Sequence, residues 1–359
     1  MIKIMHMADV HLGRAVSGLP EGLREIRRQE VRSTFSLAIN KADKEGVDAV
    51  LIAGDLFESG ETDKSTINFI KGELEKISHI PVFVSPGNHD PLGNAYKMLK
   101  ESGIKNLTIF DKDTTKKDFP EKNFTVYGVG FTNQVTEQCL LNEIKAEDES
   151  RINIAVLHGE LAPNSEHNPI TEADIEKSAM DYIALGHVHT YSGIKKAGKT
   201  YYAYSGALEG GGFDECGDKG AIFGTVSKGK CELELVPLCK RRYETVEIDV
   251  SETASVQEII EKVKEKTLNK DNLYKIVLSG KRPEPITEDV INNEVGAFFS
   301  KVKDETRASY DLKAISSDYS IAGIFAKKVL ERMENAPENE KNELLQASDV
   351  VMDILNFKK

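Results

Sequence analysis

Five short clusters of Asp, His and Asn each follow an apolar run in this chain: Asp9-Val10-His11, Gly54-Asp55, Asn88-His89-Asp90, His158 and His187-Val188-His189. Asp9, Asp55 and Asn88 offer hard oxygens, and His11, His158, His187 and His189 offer imidazole nitrogens. That mixture suits manganese, iron or zinc and is too rich in nitrogen for calcium or magnesium alone. Seven donors are too many for one tetrahedral site but suit two ions roughly 3.5–4 Å apart that share a carboxylate. With two aspartates against two divalent ions the centre stays positive, which attracts a phosphate and a hydroxide. His89 follows Asn88 directly, and neighbours in a tight turn diverge. If Asn88 faces a metal, His89 faces the substrate as proton donor to the leaving oxygen, with Asp90 on its other ring nitrogen.

One such residue alone reads as structural; five clusters at corresponding places carry the argument. Other candidates read as bland. His6 lies in an apolar run and is expected to be a hydrogen-bonded core histidine. His79 is expected at the surface and His167 in a solvated loop. Arg14, Arg24, Arg27 and Arg28 follow the first cluster and could grip phosphates, but Glu21, Glu25 and Glu30 interleave with them, so a solvated helix face is the competing reading. Lys240-Arg241-Arg242 is similarly balanced. Gly210-Gly211-Gly212 lacks the Gly-Lys-Ser/Thr ending of a nucleotide loop, which excludes that reading.

Elements must hold these side chains. The runs Ile2–Met7, Val47–Ala53, Ile80–Val84, Ile152–Leu157 and Tyr182–Leu185 read as strands ending at the clusters, and in open α/β sheets ligands gather outside the carboxyl ends of strands. Gly54, Gly87, Gly159 and Gly186 beside the clusters permit tight turns. Phe124–Val129, Thr200–Tyr204, Ala221–Val226 and Cys231–Val236 are further strands, the last three close enough together to suggest hairpins. Val31, Phe35, Ala38 and Ile39, then Ile67, Ile70 and Leu74, recur at helical spacing. The fold class is therefore α/β, with mixed sheets flanked by helices.

After a boundary near Pro237–Arg242 the pattern restarts as strand Thr245–Val250, helix Val256–Lys266, strand Tyr274–Leu278, helix Glu288–Phe298 and strand Lys301–Glu305. Two more helical patterns follow, Ile321–Met333 and Leu344–Leu355, split at Asn335–Asn339 by Pro337. The expected domains are 1–240, a small α/β domain over 241–315, and a helical tail over 316–359. One tail helix carries the stripe Ile321, Ile324, Phe325, Val329 and Met333, and the other Leu344, Ala347, Val351, Ile354 and Leu355. Each stripe either packs on its own chain or docks in a partner's groove.

The 359 residues are 40% hydrophobic and 30% charged, the balance of a globular protein rather than a disordered one. No window reaches the roughly 18 apolar residues of a membrane span. The N-terminus lacks the pattern of a secretory signal, and Cys139, Cys216, Cys231 and Cys239 are scattered as reduced thiols would be, so the expected location is the cytoplasm. A net charge of −12 means that any contact with nucleic acid must be local.

The order Asp-x-His, Gly-Asp, Gly-Asn-His-Asp, His and Gly-His-x-His resembles the calcineurin-like metallophosphoesterase superfamily. His6–Gly13, Ile52–Phe57 and Glu209–Gly220 resemble, more narrowly, the SbcD/YhaO-type DNA-repair exonucleases. The resemblance implies a layered metallophosphoesterase fold over 1–240, a DNA-contacting cap over 241–315 and a partner-binding tail. It puts Asp9, His11, Asp55 and His189 on one metal and Asp55, Asn88, His158 and His187 on the other, with Asp55 bridging and His89 catalytic. It implies two divalent ions, manganese first among them, and a DNA exonuclease or endonuclease. The implied partners are DNA and an SbcC-like coiled-coil ATPase subunit, with room for a homodimer and no membrane. One position departs from the pattern: where some relatives carry a histidine after Gly-Asp-Leu-Phe, this chain has Glu58-Ser59. Two other readings stay open, a same-fold phosphodiesterase or phosphatase of small nucleotides or phosphoesters, and a non-catalytic scaffold that binds DNA ends.

Overall fold

Strands buried on both faces read as unbroken apolar runs, and that is how the site-bearing strands of this chain read. A computed structural model describes residues 1–356 apart from Ser17, Glu61, Thr114, residues 283–285, Ser309 and Asn335. The chain divides into two compact units, Met1–Arg242 and Tyr243–Lys359. The first runs β1 (Ile2–Met7), α1 (Glu21–Glu45), β2 (Ala49–Ile52), α2 (Lys64–Lys76), β3 (Val82–Val84), α3 (Asn94–Glu101), β4 (Leu107–Ile109), β5 (Thr115–Phe119), β6 (Phe124–Gly128), β7 (Ile152–His158), α4 (Glu172–Lys177), β8 (Tyr182–Gly186), β9 (Lys195–Ala197), β10 (Thr200–Tyr204), β11 (Gly220–Ser227) and β12 (Lys230–Pro237).

Two mixed sheets result, in the orders β12-β11-β1-β2-β3-β4 and β5-β6-β7-β8-β10-β9. Within them β1 to β4 are parallel neighbours, as are β6, β7, β8 and β10, so the clusters after β1, β2, β3, β7 and β8 leave their sheets at carboxyl ends. The sheets stack face to face through Ile4, Leu51 and Phe83 on one side and Phe124, Ile154 and Tyr182 on the other. The outer face of the first sheet buries Met5, Val50 and Val82 against Phe35, Ile39, Ile70 and Leu74 of α1 and α2. The outer face of the second packs Leu157 and Ile183 with Ile175 of α4. Helices thus flank a pair of sheets, as the fold class predicts.

The hairpin grouping of the late strands needs correction. β11 and β12 do pair antiparallel, but β10 lies parallel to β8, with Tyr201–Tyr204 in register with Tyr182–Leu185. Its partner in a hairpin is the short β9, which the sequence pattern does not reveal. β10 carries Tyr202 and Ala203 into opposite cores, so it takes a position inside its sheet.

The second unit runs β13 (Tyr243–Asp249), α5 (Val256–Lys266), β14 (Leu273–Ser279), β15 (Lys281–Arg282), α6 (Glu288–Val295), β16 (Phe299–Asp304), β17 (Arg307–Ala308), α7 (Leu312–Ile315), α8 (Ile321–Glu334) and α9 (Glu338–Asn356). β13, β14 and β16 form a parallel sheet around Ile248, Ile276, Leu278, Ile259 and Ile291. α6 ends at Val295, short of the expected Phe298, because Gly296 follows with a φ of 61° that suits a left-handed helix end. α9 begins at Glu338, earlier than the spacing predicts, because its first turns are polar and carry no period. Asn335 of the expected break and residues 357–359 of the expected tail lie outside the described residues. Only part of each tail stripe is covered: Phe325, Val329, Met333 and Leu355 gather with Leu312 and Met352, while Ile321, Ile324 and Ile354 are exposed.

Candidate metal centre

Asp9 and His11 leave the end of β1 on a stretch tied to the segment after β2: the amides of Asp9, His11 and Leu12 donate to the carbonyls of Gly54, Asp55 and Leu56. Of the seven non-glycine residues with positive φ among the described residues, four are expected ligands: Asp9 at 51°, His11 at 50°, Asp55 at 49° and His187 at 104°. Strain of this kind persists only where the surroundings enforce it, and it collects at functional sites. Two glycines make room for the same cluster. A Cβ on Gly54 would sit 2.3 Å from His158 Nδ1, and one on Gly87 2.2 Å from Asp55 Oδ1.

All seven expected ligands come together, in two sets that meet at Asp55. In one, His11 Nε2 lies 3.1 Å from His189 Nε2 and 3.8 Å from Asp55 Oδ2, and His189 Nε2 lies 3.8 Å from Asp9 Oδ1. In the other, Asn88 Oδ1 lies 2.8 Å from His158 Nε2 and 3.0 Å from His187 Nδ1, and His158 Nε2 is 3.4 Å from Asp55 Oδ2. Backbone amides fix the carboxylates, His187 N–H donating to Asp9 and His89 N–H to Asp55.

The outer ring nitrogens decide whether this set fits a metal. His158 Nδ1 donates to the Ala53 carbonyl at 2.9 Å, and His189 Nδ1 donates to Glu215 Oε1 at 2.9 Å. His11 Nδ1 is 3.0 Å from Glu58 Oε2. With the proton on the outer nitrogen, each neutral ring turns a lone pair inward. Lone pairs of His11 and His189 then face each other, and that of His158 faces the oxygens of Asn88 and Asp55. Acceptors aimed at acceptors in a buried space need cations between them, so the residues fit a pair of metal ions.

Ionisation agrees with that geometry for His11, His158 and His187, whereas His189 and Asp9 are drawn towards their protonated forms, so that without a metal ion a proton takes part of its place. Burial holds His11 and His158 below the ordinary imidazole range, and burial with the neighbouring His158 brings His187 down to about 4, so these rings stay neutral near pH 7. Burial also lowers His189, but its bond to Glu215 and the charge of Asp9 outweigh this and raise it. Burial, then the charge of Asp55, pushes Asp9 up to about 8. Burial raises Asp55 too, yet the surrounding His158, His11 and His89 outweigh it and keep its carboxyl low, so Asp55 is the ionised member of the pair.

His89 is exposed, its ring edge-on to that of His11 at 4.9 Å, while its neighbour Asn88 points inward. Asp90 behaves differently from the expectation. Its buried carboxylate accepts from the amides of Gly87 and Phe57 and from the Tyr96 hydroxyl, and no hydrogen bond to the His89 ring occurs among the described residues. A fully buried oxygen pair is drawn to the nearest amides, so Asp90 ties down the turn that carries Asn88 and His89.

His6 bonds Tyr182 and the Leu185 carbonyl in the core, as expected, and His79 is exposed beside Asp43. His167 is not merely solvated: its ring stacks on His187 at 5.0 Å. Arg27 is not on a solvated face but buried, donating to Glu30, Glu209 and the Gly210 carbonyl. Those bonds anchor the loop that carries Glu215, a residue that no sequence pattern marks. A signal exists in principle, since a ligand histidine usually has a carboxylate or carbonyl on its outer nitrogen, but nothing in spacing links residue 215 to residue 189.

Comparisons with known proteins bear on the same residues. The family model described as calcineurin-like phosphoesterase matches residues 2–191. Among curated proteins, the uncharacterized metallophosphoesterase YhaO of Bacillus subtilis is 27% identical over 308 residues, 80% of this chain and 74% of that protein. The DNA double-strand break repair protein Mre11 of Saccharolobus solfataricus is 24% identical over 369 residues, 96% of this chain and 94% of its own length. A subunit of the SbcCD nuclease of Staphylococcus epidermidis is 26% identical over 243 residues, 58% of this chain and 61% of that one.

Proposed function

This chain belongs to the calcineurin-like phosphoesterase family, and from that premise we propose that it is a metal-dependent phosphodiesterase that hydrolyses DNA. The observation that carries the reading is the pair of inward-facing acceptor sets joined at Asp55, with the exposed His89 beside one of them. Asp9, His11, Asp55 and His189 would hold one divalent ion, and Asp55, Asn88, His158 and His187 the other; manganese suits the mixed nitrogen and oxygen donors. Bound there, two such ions supply Lewis-acid polarisation of a phosphoryl group and an activated water.

The chain's own groups do the rest. His89 protonates the departing sugar oxygen. Asp90, with Tyr96, holds the turn that presents Asn88 inward and His89 outward. Glu215, bonded to His189 Nδ1, keeps that ring in the tautomer that aims Nε2 at the centre, and the Glu58 carboxylate 3.0 Å from His11 Nδ1 favours the same tautomer there.

DNA as substrate rests on the relatives named for DNA repair and for a nuclease. The exposed Ile321, Ile324 and Ile354 support an SbcC-like ATPase as partner, since a helix pair with an uncovered apolar face suits docking in a groove. No helix among the described residues is long and apolar enough to cross a membrane, and the cytoplasm remains the proposed location.

The net charge of −12 favours one rival, an enzyme of small phosphoesters, because it opposes a long polyanion. Two assays on the manganese-loaded chain separate the readings: digestion of linear DNA and hydrolysis of bis(p-nitrophenyl) phosphate. The proposal expects both. Hydrolysis of the small diester alone favours the rival, and neither activity with metal bound favours a scaffold.

A further inference from the structure

Three residues after His11 the chain turns back on itself. The Arg14 amide donates to the His11 carbonyl, with Gly13 at a φ of 94° between them, so the Arg14 side chain is returned to the side of the cluster from which it departed. There it lines one cleft with Asp9, His11 and Gly211. Its Nη2 donates at 2.9 Å to Glu215 Oε1, the same oxygen that accepts from His189 Nδ1. The guanidinium lies over Gly211, where a Cβ would come within 2.1 Å of Nη1, and the Gly211 amide in turn donates to Glu215 Oε2. Arg14 is 28% exposed, and Glu215 is its hydrogen-bond partner among the described residues.

This arrangement has a cost that a purely structural role does not explain. A carboxylate that serves only to make a ligand histidine basic does best unshared, yet here a permanent cation draws on the same oxygen. The cation also feels the charges of Glu215, Glu58 and Asp214, in a cleft that Asp9 and Glu209 line together with Arg27. A guanidinium is a planar fork with five donors, and among the described residues one is used, which leaves donors for an anion.

We propose that Arg14 is a substrate-binding residue that takes a non-bridging phosphate oxygen of the diester, with Glu215 and Gly211 as the positioning groups that aim it. The assignment rests on the phosphodiesterase reading. Arg14 and the ligand His189 are next neighbours through a single oxygen, so a phosphoryl group held at the centre lies within reach of the fork. Gly211 is the residue that lets the fork lie flat.

The test uses the full chain loaded with manganese and four variants: Arg14→Ala, Arg14→Lys, Gly211→Ala and, as control, Arg28→Ala, which removes an exposed arginine paired with Glu25. Metal content and thermal midpoint are recorded for each. Inorganic phosphate is titrated calorimetrically, and KM and kcat are measured on bis(p-nitrophenyl) phosphate. Arg14→Ala should weaken phosphate binding and raise KM by roughly 10–100-fold, with a smaller change in kcat and two metals retained. Arg14→Lys should recover part of the loss, Gly211→Ala should imitate Arg14→Ala because its methyl displaces the guanidinium, and Arg28→Ala should match the parent.

Unchanged phosphate affinity and KM in Arg14→Ala would overturn the assignment. So would loss of manganese with normal phosphate affinity at saturating metal, since Arg14 would then act only through Glu215 and His189. The two readings fail separately. If the parent binds phosphate through Arg14 but hydrolyses no diester, the phosphodiesterase reading falls and the anion site stands. If it hydrolyses the diester and every variant binds phosphate equally, Arg14 alone falls. If it neither binds phosphate nor hydrolyses the diester, both fall.

Discussion

His89 and Asn88 are adjacent in sequence and face opposite ways, and the turn that separates them is the smallest unit on which the account depends. Asn88 Oδ1 stands among the histidines of one acceptor set, whereas the His89 ring is exposed. Replacing His89 by Asn should therefore leave both metals in place and cut turnover of a diester by about 10²–10⁴-fold, the span of a lost general acid. Elemental analysis of the purified variant is the control, and a variant stripped of both metals would make His89 a ligand or a support. At this scale the seven donors that the fold brings together were legible as candidates because their types are rare in apolar surroundings and their clusters follow strand-like runs. Glu215 was not, since an outer partner can come from anywhere that folding brings close. Asp90 misleads for a related reason: adjacency points to the His89 ring, but two backbone amides and a tyrosine hydroxyl lie nearer to a carboxylate so deeply buried.

At the scale of elements, β1 shows how a strand can position a site and also set the acid limit of the fold. His6, on β1, is fully buried against Tyr182 and the Leu185 carbonyl, and burial, only partly offset by that carbonyl, takes its pKa down to about 3. The unfolded chain takes up this proton near pH 6.5, and the folded chain does so only near 3. Stability from this group is thus intact above about 6.5 and falls as pH drops towards 3, by up to about 1.4 kcal/mol per unit. Chemical denaturation of the chelator-treated protein between pH 7 and 4 should show a steeper decline for the parent than for His6→Gln. Parallel curves would mean that His6 is protonated in the fold. The strands carrying clusters were visible in sequence as doubly buried runs. β4, β5 and β9 were not: β4 and β9 have three residues each and no cluster after them, and β5, Thr-Lys-Lys-Asp-Phe, is a largely exposed strand at a sheet edge whose pairing depends on β6 rather than on its own pattern. Periodicity also could not say that β10 would lie beside β8, since partner choice is a property of the whole sheet.

For the molecule as a whole, charge and chemistry pull in different directions. A chain with net charge −12 that binds a polyanion must do so through a few local cations and its metal centre. Binding of a short DNA duplex to the manganese-loaded protein should accordingly fall with salt on a shallow line, with a log–log slope of about −2 to −3, and a slope steeper than about −6 would point to a broad basic surface instead. The chain divides into two units after Arg242, close to where the strand–helix pattern restarts in the sequence, whereas the way α8 and α9 share their apolar residues with Leu312 was not legible, because a stripe does not say what covers it. The claim on which everything else rests is that Asp9, His11, Asp55, Asn88, His158, His187 and His189 form one binuclear centre for phosphodiester hydrolysis. It is tested most directly by stripping the protein with chelator and following bis(p-nitrophenyl) phosphate hydrolysis as manganese is added back. The account predicts no turnover at the start and a rate that climbs until two equivalents per chain are bound. Full activity in the stripped protein, or a plateau at one equivalent, would contradict it.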